Sequence, residues 1–240
     1  MLRLETLDLG QDGFDLRADL TLPGGNVAAV IGPSGAGKST LLAAIAGFHA
    51  PRAGRILWQG QDLTALPPHR RPVSILFQDA NLFPHLTLAQ NIGLALRPSL
   101  HLTGPEAARV GALLAQVGLA DLGQRRPGAV SGGQAARAAL ARVLIADRPL
   151  VLLDEPFAAL GPALRSEIRD LAVQRLTAAG RTVLMVTHDP AEARATAPLS
   201  LLVAEGDVTG PHVTGALLDA PPPALAAYLG QGDTWRGGMI

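Results

Sequence analysis

One segment organises the rest of the chain: Val27-Ala28-Ala29-Val30-Ile31, followed by Gly32-Pro33-Ser34-Gly35-Ala36-Gly37-Lys38-Ser39-Thr40. Five consecutive apolar residues read as a strand buried on both faces. The next nine match G-x-x-x-x-G-K-[ST], and a helical pattern follows from Lys38 to Ala46. Polyphosphate needs inward-pointing backbone N–H groups, and the glycines permit that curvature. The helix behind the loop turns its positive end toward the anion. Gly32, Pro33, Ser34, Gly35, Ala36, Gly37, Lys38, Ser39 and Thr40 are therefore candidate phosphate-binding residues. In this chemistry Lys38 reaches the β- and γ-phosphates as a compact point charge, and Ser39 is a Mg²⁺ ligand. A planar guanidinium is a different shape and does not replace it.

Composition nominates the same residue by another route. The 240 residues carry 20 basic and 20 acidic side chains, and of the basic ones only Lys38 is lysine. Where arginine serves almost everywhere, the single lysine falls on the motif's lysine position. A formal net charge of zero argues against a dedicated nucleic-acid binder, leaving only a local patch open. The absence of cysteine excludes a disulfide framework, a zinc ribbon and a thiol nucleophile. Met1 to Asp8 alternates polar and apolar residues rather than forming a signal-peptide run. No apolar run approaches the ~20 residues of a membrane span. The expectation is a soluble cytoplasmic protein that docks on a membrane partner.

Outward from the loop, Leu2, Leu4, Leu7 and Leu9 fit a strand with one slip, and Leu16 to Leu22 alternates cleanly. Ile56 to Trp58, Val73 to Phe77, Leu150 to Leu153 and Thr182 to Thr187 read as further strands. Leu199 to Ala204 and Asp207 to Val213 read as a closing pair around Gly206. Leu86 to Ile145 is mostly helical. Pro162 to Ala179 is a helix with proline at a tolerated first-turn position. The expected fold class is α/β, with a strand-rich start and a helical subdomain inserted at about 80–148. A Gly-rich tail occupies 230–240.

Four more segments carry candidate chemistry. In Leu150-Val151-Leu152-Leu153-Asp154-Glu155-Pro156 a buried strand ends in two acids. Asp154 then stands at the strand's carboxyl end as a Mg²⁺ ligand, and Glu155 is set to polarise an attacking water. Gln78 and His188 each follow a strand and suit Mg²⁺ or water contact and γ-phosphate contact; singly, each is more often a satisfied polar residue at a strand end. Ser131-Gly132-Gly133-Gln134 opens a helix as a second anion-binding end. Read alone it is an ordinary capped helix; read with the loop, it completes the site of a second copy.

In this order the motifs resemble the ATP-binding subunit of an ABC transporter over roughly residues 1–225. The resemblance implies an ABC ATP-binding domain over 1–229, with a P-loop ATPase core and an N-terminal antiparallel β region. It implies ATP and Mg²⁺ as cofactors, with Ser39, Gln78 and Asp154 on the metal. It further implies Glu155 as catalytic base, His188 as switch histidine, Gln78 as Q-loop and Ser131 to Gln134 as signature. Pro67 to Leu94, Gly47-Phe48 and Phe157 to Arg165 are similar to the ATPases of bacterial thiamine importers. Importers of iron, molybdate, sulfate or polyamines, and soluble ABC-type ATPases, are the alternatives.

Implied partners are a second copy in a homodimer, transmembrane permease subunits and, through them, a periplasmic solute-binding protein, with no nucleic acid. The implied location is peripheral, at the cytoplasmic face of the bacterial inner membrane. Three positions depart from the family pattern. Gln11 stands where an adenine-stacking aromatic is common, with Phe14 the nearest ring. Gly161 stands where the D-loop usually carries Asp. Ala135-Ala136 replaces the glutamine that usually follows the signature.

Overall fold

The computed structural model describes residues 1–11 and 14–230, so the expected tail lies outside the described residues beyond Gly230. The chain divides into two compact units, one from Met1–Arg71 with the chain from Val186 onward, the other Pro72–Met185.

In the first unit, β1 (Leu2–Gln11) and β2 (Phe14–Leu22) form an antiparallel pair. The slip read from the leucines is a register shift between Leu4 and Leu7, with Thr6 at φ 41°. Energetics explain the strained residue. Without the shift, Leu7 and Leu9 would face away from Leu2 and Leu4. Exposing them would forfeit about 2 kcal/mol each, whereas a left-handed threonine costs about 1–2 kcal/mol. The bulge wins, and all four leucines are buried.

β4 (Ala53–Trp58) pairs antiparallel with β1, and the two-residue β5 (Gln61–Asp62) edges it. The fully buried β3 (Val27–Ile31) runs parallel to β9 (Leu199–Ala204). β10 (Asp207–Val213) lies antiparallel to β9 and parallel to β2. The order is β5-β4-β1-β2-β10-β9-β3. Helices α1 (Lys38–Ala46), α6 (Pro190–Thr196), α7 (Thr214–Asp219) and α8 (Pro223–Tyr228) belong to this unit.

In the second unit, β6 (Val73–Leu76) runs parallel to β7 (Leu150–Asp154), and β8 (Thr182–Val186) flanks β7. The helical stretch resolves into α2 (Leu88–Gly93), α3 (Gly104–Gln116) and α4 (Gly132–Ile145), with α5 (Pro162–Ala178) after β7. Capping boxes open α2, α3 and α4, at Thr87/Gln90, Thr103/Glu106 and Ser131/Gln134. α5 buries Ile168, Ala172 and Leu176, a stripe at four-residue spacing. Ala138, Ala139 and Ala141 are buried on α4, which packs on α2, α3, α5 and β6. Strands read to Phe77 and Thr187 end one residue earlier. The short α6, α7 and α8 and the edge strand β5 were not expected from the sequence. Among the described residues no helix is long and apolar enough to cross a membrane.

Candidate functional site

The phosphate loop belongs to the first unit. β3 delivers the chain into Gly32 at φ 151°, where a Cβ would fall 1.9 Å from the Val203 carbonyl oxygen on β9. Only glycine lets the loop leave the sheet so close to that neighbour. Gly37, at φ 102°, precedes α1, and a Cβ there would lie 2.3 Å from Cζ of Phe14. The ring nearest position 11 therefore packs against the phosphate loop.

Lys38 is the first residue of α1 and is only 9% exposed. Its Nζ donates to the carbonyls of Gly32 at 2.9 Å and Pro33 at 2.7 Å, so the ammonium is drawn into the loop that leads to it. At the far end of α1, buried Arg71 donates to the carbonyls of Ala44 (2.8 Å), Ile45 (2.9 Å), Leu66 (2.8 Å) and Thr64 (3.0 Å). Burial pushes this guanidinium's pKa down, while the charge of Asp62 opposes that shift. A cation at the C-terminus satisfies orphan carbonyls and complements the dipole that aims the N-terminus at an anion.

His188 is also in the first unit. The preceding Thr187 donates its N–H to the carbonyl of Val30 on β3 at 3.4 Å, which brings His188 beside the strand that feeds the loop. The Thr187 hydroxyl donates to the buried Glu192 carboxylate and accepts from the Asp189 N–H at 3.1 Å. Asp189 caps α6 through the Ala191 N–H at 2.8 Å. Tyr228 donates its hydroxyl to the His188 carbonyl at 3.4 Å.

The second unit holds the remaining candidates. Leu76 pairs with Leu153 in parallel strands, so Gln78, Asp154 and Glu155 share one sheet end. Asp154 is buried, the last residue of β7. Glu155 sits at φ 48°, and a non-glycine residue held in the left-handed region beside a buried acid marks a site where geometry outranks comfort. Ser131 Oγ accepts the Gln134 N–H at 3.3 Å, and Gln134 Oε1 accepts the Ser131 N–H at 2.8 Å. The signature is thus a capped helix start, and Ser131 and Gly132 remain exposed. A Cβ on Gly133 would come 3.1 Å from the Ala159 carbonyl, in the turn that follows Glu155. Gly161 caps α5 at φ −66° with nothing within 4 Å of its missing Cβ, so this position does not require glycine.

The structure thus brings His188 to the base of the phosphate loop in one unit. In the other it brings Gln78, Asp154 and Glu155 to one sheet end, with Gly133 against the adjoining turn. The sequence reading missed Glu192 and Arg71. Asp189-Pro190 carries a visible helix-start signal that places Glu192 in the first turn of α6. Arg71 gives no signal, because its partners are main-chain carbonyls. The loop fits a nucleoside triphosphate's phosphates on its own geometry: positive-φ glycines too crowded for a side chain and an ammonium at a helix N-terminus.

A family model described as ABC transporter matches residues 16–158. The chain is 58% identical over 230 residues to the thiamine import ATP-binding protein ThiQ of Cereibacter sphaeroides, covering 96% of this chain and 100% of the relative. It is 45% identical over 226 residues to the protein of the same name from Escherichia coli, covering 94% and 97%. A solved ATP-binding cassette, a dimer in a post-hydrolysis state bound to ADP and Pi, superposes with a TM-score of 0.80. That match is 26% identical and covers 89% of this chain and 99% of the other.

Proposed function

The chain belongs to the ABC transporter family, and we propose that it is the ATP-hydrolysing subunit of an importer that takes thiamine (thiamine pyrophosphate) across the bacterial inner membrane. The thiamine assignment is carried by 58% identity along the full length of a thiamine import ATP-binding protein. Hydrolysis is supported by the phosphate loop and by Glu155 beside Asp154 at the end of β7.

Residues 1–229 form the ATP-binding domain, with its helical subdomain at about 80–148 and a tail at 230–240. The loop from Gly32 to Thr40 cradles the phosphates, with Lys38 on the β- and γ-oxygens. Ser39, Asp154 and Gln78 hold Mg²⁺, which when bound neutralises developing charge on the phosphate oxygens. Glu155 takes a proton from the attacking water, and His188 orients toward the γ-phosphate. Ser131 to Gln134 binds nucleotide held by a second copy, and two copies form the working homodimer. That dimer sits peripherally on the cytoplasmic face. It drives permease subunits that receive thiamine from a periplasmic binding protein. The loop from Asn81 to Thr87, where Phe83 is 47% exposed, is the permease contact.

Phosphate release by the purified chain and by Glu155→Gln tests the reading. The unchanged chain hydrolyses ATP, and the variant binds ATP but turns over at least about 100-fold more slowly. Equal steady-state rates would remove Glu155 as base. No phosphate release from the unchanged chain would overturn the ATPase assignment.

A further inference from the structure

Arg142 is a half-buried cation on α4 whose guanidinium is turned to main-chain oxygens. Its Nη1 donates to the Asn81 carbonyl at 2.9 Å and its Nη2 to the Ala80 carbonyl at 3.4 Å. Burial alone pushes its pKa down, with no acidic group acting against the shift. The carbonyls belong to the loop that leaves β6, two and three residues beyond Gln78. Asn81 sits at φ 45°, a conformation asparagine tolerates better than other side chains but still holds only under constraint.

The far end of the same loop is tied separately. Fully buried Asn91 on α2 accepts from the Phe83 N–H at 2.7 Å and donates to the carbonyls of Phe83 (3.1 Å), Leu86 (3.3 Å) and Thr87 (3.0 Å). Arg142 therefore governs the end next to Gln78, and Asn91 governs the end next to α2. If packing were the only need, leucine or methionine would fill the same space without desolvating a charge. The guanidinium adds directional bonds to main-chain atoms, which fix where the backbone lies.

We propose that Arg142 is a positioning residue that joins the Gln78 loop to the helix opened by Ser131-Gly132-Gly133. α4 is one 14-residue rod, so displacement of its signature end carries Arg142 with it. Ala80 and Asn81 follow, and Gln78 with them. Gln78 is then aligned only when the signature helix is seated. This inference rests on the reading of the chain as an ATPase.

Arg142→Gln and Arg142→Lys, measured beside the unchanged full chain, test it through kcat, KM for ATP, melting temperature and amide exchange. Arg142→Gln should lower kcat on the order of tenfold, because a small misplacement of a reacting group suffices. KM for ATP should stay within about twofold, since the phosphate loop is untouched. Exchange should quicken at residues 79–83 while β3 and α1 keep their protection. Arg142→Lys, which reaches one carbonyl at a time, should regain part of the lost kcat and of the protection; this arm stands if Arg142→Gln does not fold. A loosened loop with unchanged kcat overturns the proposal, as does a loop whose exchange is unaltered. A joint fall of kcat, affinity and melting temperature with exchange quickened throughout makes Arg142 a packing residue and also overturns it. Absence of hydrolysis in the unchanged chain overturns the ATPase reading instead, and the exchange data then decide the clamp.

Discussion

Gly32 and Lys38 are six residues apart and depend on each other. The Gly32 carbonyl accepts from Lys38, and its φ of 151° turns that carbonyl into the loop while the Cα passes close to Val203 on β9. A methyl at position 32 meets a backbone oxygen, which cannot rotate away as a side chain can. Gly32→Ala should cost about 3 kcal/mol, from left-handed strain plus overpacking. The melting temperature should fall by roughly 10 °C, read by calorimetry. A fall of under 2 °C would mean that β9 yields at Val203. The motif was legible in the sequence because its residue types are dictated by chemistry. Arg71 was not legible, since any cation next to a helix C-terminus would look the same on paper.

At the scale of elements, the caps carry the testable content. Gly161 begins α5 without a side-chain cap, and the space beside it is open. Gly161→Asp should therefore fold unchanged and gain a few tenths of a kcal/mol by capping α5, seen as a rise of about 1 °C in melting temperature. A drop would mean that the departure from the family pattern is enforced by structure. Glu106 caps α3 from inside. The Thr103 N–H at 2.8 Å is the main cause, and Arg97 at 2.8–2.9 Å the next, that hold its carboxyl down to about 2 from an ordinary 4.5. A depressed folded pKa contributes stability above the unfolded value, and that contribution is lost as pH falls from about 4.5 through about 2. Carbon NMR of the Glu106 carboxyl should show a midpoint near 2, and Glu106→Gln should flatten that part of the acid limb. A midpoint above 4 would mean the cap is not closed in solution. Most elements could be read because period and length agree, as in β3, α1 and α5. The short α6, α7 and α8 could not, being too brief to show a period; only their Asp-Pro or Pro starts betray them.

For the whole molecule, strand content was legible and strand order was not. The sequence reading found the closing pair β9 and β10, but β10 also lies parallel to β2, with Asp207 opposite Arg17, 190 residues earlier in the chain. No local pattern announces a pairing of that span. The β1 slip was legible because leucines on the wrong parity are visible without coordinates. The proposed two-copy site draws on the exposed helix start at Ser131 and Gly132. Glu155→Gln with ATP and Mg²⁺ should double its light-scattering mass from 24.8 kDa, and ADP should not produce the change. A monomer under both conditions would remove the two-copy site.

Arg71, Arg137, Arg142 and Arg165 share one habit: each gives its guanidinium to backbone oxygens, at Ala44 and Ile45, Val117 and Gly118, Ala80 and Asn81, and Ala158 and Leu160. An oxygen of the peptide chain is present whatever side chain the position bears. These junctions are therefore invisible to alanine scanning from the loop side and are exposed only by changing the arginine. Where the accepting residue is not itself in the core, as at Ala80 and the exposed Ala158, the sequence is free to vary while the backbone keeps its place, so a library randomised at Ala80 or Ala158 should return far more working chains than one randomised at Arg142 or Arg165.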